Sequence, residues 1–121
     1  MNRDDDTSDR PEASRVVGRE RFPELRQLFG GYLFQDWSHL YESAEEAIDD
    51  AVARYSDGRL SATLAQLNEL RTLGLSEEEL DDVLLYDLSC NYNVEADGLT
   101  NSQWLEAVAA QLHEALQARR P

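Results

Sequence analysis

The sequence predicts an all-α fold, a compact bundle of four to five helices with a disordered N-terminal tail. Apolar residues recur at helical spacing in several segments, and Ser or Thr is repeatedly followed three residues later by Glu or Gln, which is typical of helix N-termini. No segment shows a convincing strand alternation. At 121 residues, the chain has room for one hydrophobic core. We therefore expect a tail over residues 1–21 and a single helical domain over residues 22–119.

The first 21 residues are polar and include an Asp triplet at positions 4–6 and Pro11. Only Val16 and Val17 are adjacent apolar residues there. Such a composition buries too little surface to fold on its own, so we predict a disordered or loosely docked tail. An Asp triplet in a flexible segment is solvated charge, and we predict no metal site in it.

Residues 22–37 hold the densest group of large apolar side chains and are expected to anchor the core. Pro23 suits the first turn of a helix because its missing N–H has no partner to find there. One face of that helix then carries Leu25, Leu28 and Phe29. Gly30 and Gly31 can adopt positive φ, so we expect them to close the helix, with a second short element over residues 32–37.

Two polar residues, Gln35 and Asp36, interrupt the aromatic run at the end of this segment. Gln35 and Asp36 are predicted to cap a neighbouring helix or to form a buried polar pair. Tyr32, Trp37 and Tyr41 are predicted to be core residues, although exposed aromatic side chains would also suit an interface. Their burial decides between the two interpretations.

Two helices are predicted between residues 43 and 74. Ser43 and Glu46 have capping-box spacing, which indicates a helix start. The apolar stripe of this helix comprises Ala44, Ala47, Ile48, Ala51, Val52 and Tyr55. The Asp57-Gly58 pair is expected to end it as a turn. A following helix, closing near Gly74, carries Leu60, Leu64, Leu67 and Leu70.

A fourth helix is predicted to start at Ser76, where Glu79 completes a second capping box. The carboxylates of its first turn also meet the positive end of the helix dipole. Its buried face is expected to hold Leu80, Val83, Leu84 and Leu88. From Asn91 to Asp97 the apolar residues no longer recur at helical spacing, and Asp97-Gly98 indicates a turn.

Thr100 and Gln103 form a third capping box at the start of a long final helix, which we expect to reach about Arg119. Its apolar stripe comprises Trp104, Leu105, Val108, Leu112 and Leu116. The terminal arginines suit the negative end of the helix dipole.

The chain is strongly acidic, with a formal net charge of -14 and a pI near 4.3. Residues 42–97 hold 15 acidic residues and three arginines. This charge disfavours direct nucleic-acid binding and favours a basic protein partner. The acidic side chains either form a solvated face or dock that partner. The predicted partner-binding residues are Asp49, Asp50, Glu77, Glu78, Asp81 and Asp82.

The residue types that carry catalysis are few and form no recognisable motif. The candidates His39, Cys90 and His113 would have to converge in a pocket to support an enzyme. No Gly-rich phosphate loop, metal motif or cofactor motif is present, so we predict a non-enzymatic protein without cofactors. A single cysteine allows no internal disulfide, and no signal region or membrane-spanning run is found. A soluble, cytoplasmic protein with no membrane partner is expected.

The opening FPELRQLFGGYLFQDW, the acidic helix SAEEAIDDAV and the closing DGLTNSQWLEAVAAQL resemble bacterial contact-dependent growth inhibition (CDI) immunity proteins. The resemblance spans about Phe22 to Leu116. Members often carry His at the position of Phe34, so a role of that His would be absent from this chain. The resemblance implies binding and neutralisation of the C-terminal toxin domain of a cognate growth-inhibition protein.

The resemblance and the charge together predict an immunity protein that binds a basic toxin domain, expected to be a nuclease. An acidic inhibitor can mimic the phosphates that a nuclease site attracts, while long-range attraction raises the association rate. The alternative is an acidic helical adaptor or regulatory module for an unrelated basic protein. Gene neighbourhood distinguishes the two hypotheses.

Overall fold

Helices alone build the regular structure of residues 17–119, the part of the chain that the computed structural model describes. The bounds of the five α-helices are α1 Pro23–Tyr32, α2 Ala44–Arg54, α3 Asp57–Arg71, α4 Glu77–Asp82 and α5 Asn101–Ala118. Single 3₁₀ turns lie at Trp37–His39 and Val94–Asp97. No strand occurs within this range, so the predicted all-α fold is confirmed.

The longest helix, α5, organises the packing because α2, α3 and α4 all contact it, while α1 packs against α2 and α3. The predicted stripes of every helix supply the core. Its largest fully buried side chains are Phe22, Leu25, Leu28, Phe29, Leu33, Ile48, Leu60, Leu67, Leu70, Leu88, Leu105 and Leu112. The predicted tail lies mostly outside the described residues. Of its last five residues, Val17 is buried and packs against this core.

Helix α1 begins at Pro23 as expected, but the Gly-Gly pair does not end it. Both glycines lie inside the helix, which continues to Tyr32, and neither has a positive φ. Gly30 instead allows a close approach, since a Cβ added there would lie 3.1 Å from the Cβ of Ser89. The predicted role of the pair is therefore wrong.

Side-chain caps define the starts of α2 and α3. Ser43 caps α2 by accepting a hydrogen bond from the Glu46 N–H, while the Glu46 carboxylate accepts from the N–H of Glu42. Ser56 caps α3 in the same way through Arg59. The turn predicted at Asp57-Gly58 is therefore wrong, because Asp57 is the first residue of α3.

The capping boxes predicted at Ser76 and Thr100 are both present, with the side-chain oxygen of the third helical residue accepting a hydrogen bond from the cap N–H. Helix α4 is only six residues long and continues as a π-helical turn, Val83–Asp87. After α4, the chain passes through residues 88–100, the connecting segment, to α5. Gly98 takes the positive φ of the predicted turn in this segment.

No helix of residues 17–119 is both long enough and apolar enough to cross a lipid bilayer.

Candidate protein-docking surface

Arginine is absent from a long stretch of the chain. Between Arg71 and Arg119 there are ten acidic residues and no Lys or Arg, and we call residues 72–118 the arginine-free segment. It includes α4, the connecting segment and all of α5. Within the described residues, this segment therefore has the largest excess of acidic over basic residues, although the Arg19 guanidinium reaches it through a hydrogen bond to the Tyr86 carbonyl.

Ion pairs between arginine and acidic side chains lie mainly outside the arginine-free segment. The ion pairs of the described residues are Arg21–Glu69, Arg54–Asp50, Arg59–Glu24 and Arg119–Asp57. Apart from the Arg119 link at the end of α5, these pairs involve α1, α2, α3 and the residues just before α1. These pairs engage one carboxylate on α1, one on α2 and two on α3, whereas no carboxylate of α4 or α5 forms an ion pair with a described residue.

Two of the predicted partner-binding residues fasten α4 to the start of α5. The Glu77 carboxylate accepts hydrogen bonds from the N–H groups of Asn101, at 2.7 Å, and Ser102, at 3.1 Å. The buried Asn101 amide donates in turn to the Glu77 carbonyl and, at 2.5 Å, to the Asp81 carboxylate. The Glu77 carboxylate thus gives partners to two N–H groups in the first turn of α5, which have none within the helix.

The pKa of Glu77 reflects this position. Burial raises the pKa, but the hydrogen bonds from Ser102 and Asn101 favour the ionised form and hold it below its usual value. Glu77 is therefore ionised at neutral pH, and its charge acts first on the N-terminus of α5.

The predicted residues on α2 also have contacts within the chain. The Asp49 carboxylate accepts a hydrogen bond of 2.6 Å from the Gln111 amide, which also donates to the Glu45 carbonyl. Asp50 accepts from the Tyr41 hydroxyl at 2.6 Å and pairs with Arg54. The hydrogen bond from Tyr41 lowers the pKa of Asp50, and the same bond raises the pKa of Tyr41 to about 12.

The two remaining predicted residues, Glu78 and Asp82, make no side-chain hydrogen bond or ion pair with any described residue. The six residues do not form a single cluster. The α4 group contacts α5 at Asn101 and the α2 group contacts it at Gln111, which are about 15 Å apart along the helix. Their part in partner binding stays a prediction.

A groove between α2, α5 and the connecting segment was not predicted from the sequence. Its volume is about 470 Å³. The lining residues include Ala44, Glu45, Tyr92, Asp97, Leu99, Trp104, Ala107, Val108, Ala110 and Glu114. Tyr92 lies between Trp37 and Trp104, with ring centroids 5.7 Å and 5.0 Å away. The only sequence signals were small alanines one turn from a buried Trp, and these do not reveal which helix lies opposite.

The aromatic residues predicted as core are only partly buried. Tyr32, Trp37 and Tyr41 pack against the core with part of each side chain exposed. The buried polar role predicted for Gln35 and Asp36 is wrong, because both residues are exposed and Asp36 makes no side-chain cap at the 3₁₀ turn that follows it.

The residues considered for catalysis lie in different environments. Cys90 is buried, and burial raises the pKa of its thiol to about 12, so the thiol stays protonated at neutral pH. His39 and His113 are exposed, on the 3₁₀ turn and on α5. Neither histidine lines the cavity beside Cys90. Among residues 17–119, no group of His, Cys, Asp and Glu side chains is arranged to hold a metal ion.

Comparison with known proteins identifies the fold and its family. A family model described as CdiI immunity protein matches residues 21–112. The chain belongs to the CdiI immunity protein family. The resemblance predicted over Phe22 to Leu116 is thereby confirmed, with nearly the same boundaries. No match is found among curated proteins.

A solved structure extends this finding to three dimensions. The chain is similar to a chain of the crystal structure of the CdiA-CT/CdiI complex from Y. kristensenii 33638, with a TM-score of 0.74 and 27% sequence identity. The match covers 80% of this chain and 98% of that chain. The fold is therefore shared with a chain of that complex.

Proposed function

We propose that this CdiI family member binds and neutralises the C-terminal toxin domain of a cognate CdiA protein in the cytoplasm. The observation that carries the proposal is the structural likeness to a chain of a CdiA-CT/CdiI complex, which spans nearly the whole of that chain. The family match over residues 21–112 supports the same role. A protein of this kind inhibits by binding, so it needs neither catalytic residues nor a cofactor.

The charge of the chain supports a basic partner, and a nuclease domain is the toxin class that we propose. Nuclease sites attract phosphates through cationic side chains, and the carboxylates of α4 and α5 form no ion pair with any described residue. Attraction between the two proteins raises the association rate, and desolvated charge pairs slow dissociation. The inhibitor would cover the phosphate-binding surface or lie beside it.

The six predicted acidic residues contribute to docking in two ways. Glu78 and Asp82 have no partner among the described residues and are proposed to contact the toxin directly. The carboxylates of Asp49, Asp50, Glu77 and Asp81 are held by hydrogen bonds within the chain and contribute to the negative field. This division predicts which substitutions affect binding without affecting the fold.

Co-expression tests the proposal. The C-terminal domain of the CdiA protein encoded beside this chain is produced in a bacterial host with or without this chain, and growth and co-purification are scored. Rescue of growth together with a stable complex is expected. A toxic domain that this chain neither binds nor counteracts would contradict the immunity role and leave the adaptor hypothesis.

Substitution of the two unpartnered carboxylates tests the docking residues. In the double variant Glu78→Gln, Asp82→Asn, we expect a roughly threefold to tenfold slower association with the toxin domain and an unchanged free energy of unfolding. The double variant Glu20→Gln, Asp36→Asn, at exposed positions outside the arginine-free segment, serves as the matched control. Equal association rates for the two double variants would remove α4 from the proposed contact surface.

A further inference from the structure

The groove between α2, α5 and the connecting segment has walls that are fixed before any partner arrives. Gln111 on α5 donates hydrogen bonds to the Glu45 carbonyl and the Asp49 carboxylate and so holds α2 against α5. In the connecting segment, the Tyr92 hydroxyl donates to the Asp97 carboxylate. A preformed site of this kind loses little conformational entropy on binding.

The floor of the groove is apolar and aromatic. Trp104 is 95% buried, yet its ring borders the groove next to Tyr92. The small side chains of Ala107 and Ala110 face the same space and leave it open. A surface of this type favours a long side chain that places methylene groups against it.

The rim of the groove is negatively charged. Three carboxylates line it, those of Glu45 on α2, Asp97 in the connecting segment and Glu114 on α5, and no Lys or Arg is among the lining residues. Within residues 17–119, no hydrogen bond or ion pair engages the carboxylates of Glu45 and Glu114. An incoming cation would therefore meet carboxylates that are already in place and unpaired.

We propose that this groove receives an arginine side chain from a loop of the toxin domain, an inference that rests on the proposed immunity function. The methylene groups of the arginine lie on the floor beside Trp104, and its planar guanidinium group contacts the aromatic rings and the rim carboxylates. The volume of about 470 Å³ also accommodates neighbouring residues of that loop. Arginine, tryptophan and tyrosine are enriched among the few interface residues that contribute most of the binding energy.

Steric variants test whether the groove is occupied. Ala107→Trp and Ala110→Trp fill it from exposed helical positions, and Ala65→Trp is the matched control on the exposed face of α3. We expect the groove variants to bind the cognate CdiA C-terminal domain at least tenfold more weakly than the control, at unchanged helical content and melting temperature. Two different groove variants guard against misfolding of either one.

Charge variants test whether the occupant is cationic. The double variant Glu45→Gln, Glu114→Gln keeps the size of both side chains and removes two rim charges, whereas Glu20→Gln, Glu106→Gln removes two charges at exposed positions outside the groove. We expect the rim variant to dissociate roughly tenfold faster than the second variant. Equal dissociation rates, with binding still blocked by the Trp variants, would indicate an apolar occupant and overturn the arginine assignment.

The same measurements separate this inference from the function on which it rests. If the wild-type chain binds the toxin domain and the Trp variants bind equally well, the groove is not a docking site and the immunity function stands. If the wild-type chain does not bind, the immunity function and the groove proposal both fall.

Discussion

At the scale of single residues, several carboxylates of this acidic chain hold the fold together. Glu77 and Asp81 join α4 to α5 through Asn101, and Asp49 joins α2 to α5 through Gln111. Acidic side chains that look like surface charge in the sequence thus accept hydrogen bonds from helix-end N–H groups and from side chains of neighbouring helices. Neighbouring carboxylates with no such contact are the ones free to serve a partner.

Glu77 and Glu78 form a natural test pair because they are adjacent in the first turn of α4 and differ in their contacts. We expect Glu77→Gln to lower the free energy of unfolding at pH 7 by about 1 kcal/mol, since the amide accepts the α5 N–H groups more weakly. Glu78→Gln is expected to change it by less than about 0.5 kcal/mol. Urea denaturation of both variants measures the difference.

The lowered pKa of Glu77 gives this prediction a pH dependence. The stabilisation by the ionised carboxylate is complete above the ordinary glutamate value near 4.5 and disappears as the pH falls through the lower folded pKa. The difference between the two variants should therefore shrink below about pH 4. An equally large difference at pH 7 and pH 3 would show that the charge of Glu77 is not responsible.

Cys90 is expected to be unreactive in the folded protein. Burial and a thiol pKa raised to about 12 leave very little thiolate at pH 8. Alkylation by iodoacetamide should be at least about a hundredfold slower in the native protein than in urea, as measured by mass spectrometry. Comparable rates in the two conditions would reopen the possibility of a reactive thiol.

At the scale of helices, the sequence predicts starts better than ends. Ser76 and Thr100 form capping boxes because the partner residue lies three positions away in the chain, a local relation that the sequence displays. The ends depend on tertiary contacts. Gly30 and Gly31 look like a helix terminus, yet the helix continues to Tyr32, and Gly30 instead allows the chain at Ser89 to pack closely against it.

The two glycines of α1 allow a matched experiment. Gly31→Ala adds a methyl group that meets nothing within 4 Å, so we expect the better helix propensity of Ala to raise the free energy of unfolding by about 0.5–1 kcal/mol. Gly30→Ala places its methyl group 3.1 Å from the Ser89 Cβ, in a segment tied to α1 by the hydrogen bond from the Asn91 N–H to the Leu33 carbonyl. We expect this strain to cancel the gain. Equal stabilisation by both substitutions would show that the chain at Ser89 moves aside at no cost in free energy.

At the scale of the whole molecule, the net charge and the apolar stripes predicted the fold class and an acidic protein-binding surface. They did not predict how charge is distributed in space, because arginines such as Arg21 and Arg59 select partners 48 and 35 residues away. The groove was missed for the same reason, since α2, α5 and the connecting segment meet only in the folded chain. A residue pattern shows which face of one helix is apolar, whereas a groove forms only where two elements lie side by side.

The net negative charge predicts that added salt stabilises the free protein and slows its association with the toxin domain. The net charge of -14 repels itself in the folded state, so raising NaCl from 20 to 500 mM is expected to increase the melting temperature of the free protein by about 2–5 °C. Differential scanning calorimetry measures this change. A decrease would mean that the four surface ion pairs stabilise the fold more than repulsion destabilises it.

Association kinetics test the proposal that this acidic chain binds a basic toxin domain. Stopped-flow mixing of the chain with the cognate CdiA C-terminal domain at 20 and 500 mM NaCl gives the rate constant at each ionic strength. We predict tight binding at both, with an association rate constant at least about tenfold higher at low salt. A toxin domain that fails to bind, or that binds at a rate independent of salt, would contradict the proposal.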